Sequence, residues 1–173
     1  QRYGIGPSVA VKIYKNYKDK SIQILKENPY RLADEAFGIG FKTADRIAQS
    51  MGMGLDSPER LCAGLKYTMY EASEEGHVFL PAQDLLNRAS QLLNVEGELL
   101  RQALFALEEQ KDIVIDRAWG GEDVYLASFF HCERAVARRL FLLSAMVAEP
   151  LELSEDDIDK LEERCNIKIA RRQ

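Results

Sequence analysis

A chain of 173 residues with 46% hydrophobic and 29% charged side chains suits one full domain or two small ones, and excludes wholesale disorder and collagen-like repeats. Its longest apolar stretches, such as Leu140–Leu143, fall far short of the ~20 residues that span a bilayer, and residues 1–30 lack the charged and apolar regions of a secretory signal. The net charge of −5 hides an asymmetry: residues 1–54 hold 9 Lys/Arg against 5 Asp/Glu, and residues 55–173 hold 14 against 23.

That division, net +4 against net −9, fits contact with a polyanion at the N-terminal end only. Cys62, Cys132 and Cys165 lie far apart with no C-x-x-C, which reads as reduced thiols in a cytoplasmic protein. The chain opens on Gln1 and its first motif follows almost at once, so a fragment of something longer is expected.

Helix is the dominant period. Pro7–Tyr17 places Val9, Ile13 and Tyr17 at i, i+4, i+8, an apolar stripe. Ser21–Glu27 is a short helix, and Asn28-Pro29 ends it with Pro29 at the first position of a helix running to Glu35. Lys42–Met51 carries Ala44, Ile47, Ala48 and Met51 at helical spacing, and Gly52-Met53-Gly54 stops it. Ser57-Pro58 is an N-cap and N1 pair opening a helix to Glu75, with Gly76 as its stop. A strand at His77–Leu80, helices at Ala82–Leu93 and Glu96–Gln110, and a hairpin of Ile113–Asp116 and Val124–Leu126 around Trp119-Gly120-Gly121 follow. The last helices are Cys132–Ala148 and Ser154–Cys165, the latter with an S-x-x-D cap of Ser154 and Asp157. Over about 57–128 this order resembles a winged-helix unit.

The motif with chemical content is a repeated Gly-Ile-Gly, at Gly4-Ile5-Gly6-Pro7-Ser8 and Gly38-Ile39-Gly40-Phe41-Lys42-Thr43, 34 residues apart. Each copy opens a helix. Backbone N–H groups at a helix start, approached through glycines without side chains, form a concavity for a phosphate oxygen. The central isoleucine packs inward, Lys42 and Thr43 sit in the first turn, and Arg46 lies at i+4 from Lys42. The candidate DNA contacts are therefore Gly4, Gly6, Ser8, Lys12, Gly38, Ile39, Gly40, Lys42, Thr43 and Arg46. Such contacts read no base edges, so binding should be independent of sequence and sensitive to salt. The alternative is a pair of structural glycine turns between packed helices.

The pair resembles a tandem helix-hairpin-helix module: helix 29–35, hairpin 36–41 and helix 42–51 form the second copy, and the first lacks its leading helix. The strings Asn28-Pro29-Tyr30-Arg31-Leu32 and Phe37-Gly38-Ile39-Gly40-Phe41-Lys42-Thr43-Ala44-Asp45-Arg46-Ile47-Ala48 resemble the N-terminal region of RecD-like helicases, the RecD/TraA family of superfamily 1. The resemblance implies a mainly α fold: tandem helix-hairpin-helix (1–54), a winged-helix-like α+β unit with a short β-hairpin (55–130), and C-terminal helices (131–173) leading to motor domains. It implies a DNA-binding accessory region of an ATP-dependent 5′–3′ helicase, exodeoxyribonuclease V alpha-like, in DNA repair and recombination. Its partners would be the DNA backbone and the motor of the same chain, with no membrane. ATP and Mg belong to the motor, and no cofactor is expected in these residues.

Gly40-Phe41-Lys42-Thr43 is not a P-loop, because a lysine must follow the last glycine of G-x-x-x-x-G-K-[ST]; neither ATP hydrolysis nor unwinding is expected here. The helix at 96–110 carries Glu96, Glu98, Glu108 and Glu109 against Arg101, which would repel phosphates and favours a structural or protein-docking role. Arg134, Arg138 and Arg139 read first as a solvated face, with contact to DNA or to the motor as the alternative. Glu109-Gln110-Lys111 mimics a nuclease E-x-K without a partner acid, and His77 and His131 lack zinc-ligand spacing. No catalytic or metal residue is expected. A protein-interaction module with purely structural hairpins is the rival reading.

Overall fold

The computed structural model describes residues 5–36, 38–118, 120–146 and 154–168. It is mainly helical with one small antiparallel sheet, as the sequence leads one to expect. Helix α1 (Pro7–Tyr17) is followed by a single 3₁₀ turn at Lys18–Lys20 and by α2 (Ser21–Glu27). Ile13 is buried, and Val9 and Tyr17 pack beside it, so the i, i+4, i+8 stripe faces the core.

Helix α3 (Arg31–Glu35) starts two residues later than Pro29 suggests. The Tyr30 amide donates to Asn28 Oδ1 at 2.9 Å, an Asx turn that holds Pro29 and Tyr30 outside the helix. Helix α4 (Phe41–Ser50) starts one residue earlier than expected. Phe41 is its first residue, and its buried ring stacks on Tyr30 (6.0 Å) and Tyr67 (5.2 Å), which fixes the helix entry.

Helix α5 (Pro58–Glu74) has the expected Ser57 cap, whose Oγ accepts from the Arg60 amide. Strand β1 (Phe79–Pro81), α6 (Ala82–Leu93), α7 (Gly97–Glu109), β2 (Ile113–Asp116) and β3 (Asp123–Leu126) follow. The hairpin is a three-stranded sheet of order β1-β3-β2, because Leu80 and Ile115 both register against Val124 and all three are buried. On the other face Tyr125 meets Phe79 (5.2 Å) and Phe130 (5.4 Å). That contact explains why α8 (Ala127–Ala145) begins five residues before Cys132. Its expected end at Ala148 lies outside the described residues, as does Trp119. Helix α9 (Glu155–Cys165) carries the expected capping box, with Ser154 and Asp157 exchanging bonds.

Gln1–Arg134 form one compact unit and Ala135–Gln173 a second. In the first, one buried cluster runs from Ile13, Leu32, Ile39 and Ile47 to Leu65, Leu85, Leu104 and Val124, each such side chain contributing about 1.5–3 kcal/mol by burial. The boundary expected at 54 falls inside this unit, between α4 and α5. Gly64 permits the close crossing of α5 and α6: a Cβ there would lie 2.5 Å from Leu93 Cδ1.

Candidate nucleic-acid interface

The second hairpin turns at Gly38, whose φ of +75° is a conformation that L side chains rarely adopt. The Ile39 amide donates to Ala36 O at 3.0 Å across the turn, and the Ile39 side chain enters the core at 3% exposure. Gly40 is then the N-cap of α4, extended at φ −89° and ψ 172°, with no side chain capping the helix. The Thr43 and Ala44 amides bond back to Gly40 O at 3.0 and 3.2 Å, while those of Phe41 and Lys42 have no intrahelical acceptor. A Cβ built on Gly40 meets nothing within 4 Å.

The first copy repeats this geometry. Gly6 is the extended N-cap of α1 (φ −72°, ψ 157°), again without a side-chain cap, and a Cβ on it also meets nothing within 4 Å. Ala10 N–H donates to Gly6 O at 3.0 Å. Ser8 is exposed in the first turn, and Gly4 lies outside the described residues.

Three bonds tie α1 to the second copy, one to its hairpin and two to α3. Lys12 Nζ donates to Gly38 O at 3.0 Å, Asn16 Nδ2 to Glu35 O at 3.2 Å, and the Tyr17 hydroxyl to Arg31 O at 3.3 Å. Lys12 is thus a strut between the copies as well as an exposed cation.

Lys42 is exposed but oriented by α5. Its ammonium lies 5.6 Å from the Tyr67 ring centroid and 3.9 Å from Glu71. A hydrogen bond to Tyr67 and the Glu71 charge hold its pKa above the usual lysine value. Arg46 is exposed, and no described carboxylate forms an ion pair with it. Thr43 is half-buried, with Ala44 buried beside it. Three of the five acids of residues 1–54 are engaged. Arg60 takes Asp45 at 2.8 Å, Lys66 takes Asp34 at 2.6 Å, and Arg31 takes Glu35 at 2.8 Å. With these three paired, the exposed Lys12, Lys15, Lys18, Lys20, Lys26, Lys42 and Arg46 outnumber the exposed Asp19 and Glu27, and the local potential is positive.

Sequence reasoning missed Arg60, Lys66, Tyr30 and Tyr67. A signal for Arg60 existed: positions 60, 64, 68 and 72 are Arg, Gly, Thr and Ala, an i+4 row of small residues that marks close packing, and all four are buried. Burial pushes the Tyr17 phenol up to about 12, helped by Glu35, and burial with the Asp45 bond raises Tyr30. Both phenols stay neutral in the folded chain after the unfolded chain ionises. For Tyr17 that stabilisation is complete below pH 10 and is lost as pH rises toward about 12, and Tyr30 adds a loss of the same sign. Thermal melts should therefore show the melting temperature falling above pH 10, with a shallower fall in Tyr30→Phe; a flat profile would contradict the assignment.

The arginines on and beside α7 are already paired. Arg101 lies 3.6 Å from Glu122, and Arg117 pairs with Glu108 (3.1 Å) and Glu122 (3.3 Å). Arg134 lies 5.5 Å from the Phe130 ring. Among the described residues there is no group of three or more His, Cys, Asp and Glu side chains placed to hold a metal ion, and no helix is long and apolar enough to cross a membrane.

Residues 1–79 match the family described as the ATP-dependent RecD2 DNA helicase HHH domain. The chain is 35% identical over 82 residues to the ATP-dependent RecD2 DNA helicase of Deinococcus radiodurans, across 47% of this chain and 11% of that protein. The family match over residues 1–79 takes in both glycine turns, α4 and all of α5.

Proposed function

We propose that this chain, whose first 79 residues match the RecD2 DNA helicase helix-hairpin-helix domain, is a sequence-independent DNA-binding accessory region of an ATP-dependent 5′–3′ DNA helicase acting in repair and recombination. ATP and Mg would serve motor domains outside these residues. The observation that carries the reading is the pair of glycine N-caps at Gly6 and Gly40, both uncapped by side chains and both open to 4 Å. Phosphate oxygens approach such amides closely, and the helix dipole and neighbouring lysines favour the negative charge.

The body would position rather than read. On this reading residues 55–130 are the winged-helix-like unit, with an acidic α7 whose cationic neighbours are already paired. The Arg60–Asp45 pair holds α4 on α5, so the second hairpin and the body move as one. The purely structural reading of the hairpins has one observation in its favour, the engagement of Lys42 by Tyr67 and Glu71.

Labelled DNA titrated at increasing salt tests the proposal. Affinity should fall steeply as salt rises, and Lys42→Ala with Arg46→Ala should reduce the logarithmic salt slope by up to about two. No binding at low salt, or a slope unchanged in the double variant, overturns it.

A further inference from the structure

We propose that the outer face of α1 is a stacking platform for an unpaired base, so that the region holds single-stranded DNA in addition to backbone phosphates. The inference rests on the DNA-binding reading of the hairpins and extends it to a different surface. On α1, Ile13, Val9 and Tyr17 face the core, and Lys12 and Asn16 reach the second copy. The remaining side presents Val11 and Tyr14 at i and i+3, which are 54% and 60% exposed. Lys15 follows Tyr14 on α1 and Lys18 is the residue that ends the helix, and both are exposed.

An exposed tyrosine in a lysine-rich setting matches the chemistry of a nucleic-acid strand: π-faces for the ring, phosphates for the ammonium groups. Between residues 5 and 26 the sequence has Lys12, Lys15, Lys18, Lys20 and Lys26 against one carboxylate, Asp19. That imbalance favours a polyanion over a basic or neutral protein surface as the occupant, and the exposed ring selects a strand with unpaired bases. Tyr14 also lies about 12 Å along the helix from Gly6 at the α-helical rise, so a strand gripped at the first hairpin can run along the helix to reach it. A duplex, whose bases are paired and stacked, offers the ring no face. The platform therefore contributes to single-strand binding and little to duplex binding.

Fluorescence anisotropy with a labelled oligothymidine, and with a labelled duplex, decides this. Tyr14→Ala should weaken oligothymidine binding about tenfold and change duplex binding by less than about twofold, whereas Tyr14→Phe, which keeps the ring, should bind like the parent chain. The exposure of Tyr14 makes unfolding of the variant unexpected, and the Phe variant and the duplex arm control for it. If Tyr14→Ala binds oligothymidine as well as the parent, the platform is overturned and the face belongs to a protein partner. Loss with Tyr14→Ala but none with Lys42→Ala and Arg46→Ala would keep the platform and remove the hairpin reading. Loss with those two alone would do the reverse. Failure of every DNA to bind at low salt overturns both.

Discussion

Gly6→Asp combined with Gly40→Asp should lower DNA affinity on the order of 100-fold while leaving the melting temperature unchanged or slightly higher. Both glycines are N-caps in extended conformation, at φ −72° and −89°, where aspartate is at least as favourable as glycine. Neither site obstructs a new side chain, since a Cβ meets nothing within 4 Å. Each carboxylate would accept from the first-turn amides and place a negative charge where the phosphate should sit. Function and stability are pushed in opposite directions, which no general unfolding can imitate. Fluorescence anisotropy together with differential scanning calorimetry reads both. Parent-like affinity in the stable double variant would mean that the helix starts do not bind phosphate.

Arg60→Ala should destabilise the first unit by about 3–5 kcal/mol, the range for breaking one partner of a buried ion pair. The Arg60 side chain is 6% exposed and its Asp45 partner 15%. It donates to both Asp45 oxygens at 2.8 and 3.3 Å, to Leu55 O at 2.7 Å and to Leu93 O at 3.1 Å. Truncation leaves Asp45 with the Tyr30 hydroxyl and the Gln49 amide, and leaves two carbonyls without this donor. For a chain of this size the loss corresponds to a melting temperature lower by about 10 °C. Urea denaturation of parent and variant measures it. A cost below about 1 kcal/mol would show that the pair behaves like an exposed one.

The sequence made the helical skeleton readable because caps and periods act locally. Pro7–Tyr17, Ser21–Glu27 and Ala82–Leu93 have the expected bounds, and the caps of Ser57 and Ser154 are the expected ones. What escaped depends on tertiary partners. The start of α8 is set by Phe130 meeting Tyr125, and β1 by registry with β3. The turn at Pro29 depends on a side-chain bond from Asn28, which competes with the helix preference of proline at N1. The candidate site follows the same division. The glycine turns and Lys42 and Arg46 could be found from spacing alone. The strut from Lys12 to Gly38, the capture of Lys42 by Tyr67 and Glu71, and the Arg60–Asp45 lock join residues 15 to 29 positions apart, beyond the reach of any local pattern.

The most direct test is an amide NMR titration of the chain with a short DNA duplex at low salt. The account predicts that the largest shifts fall on the amides of Gly6, Ser8, Gly40, Phe41 and Lys42, and that they fade together as salt is added. Shifts confined to α7, the sheet or α8, with those five amides unmoved, would contradict it.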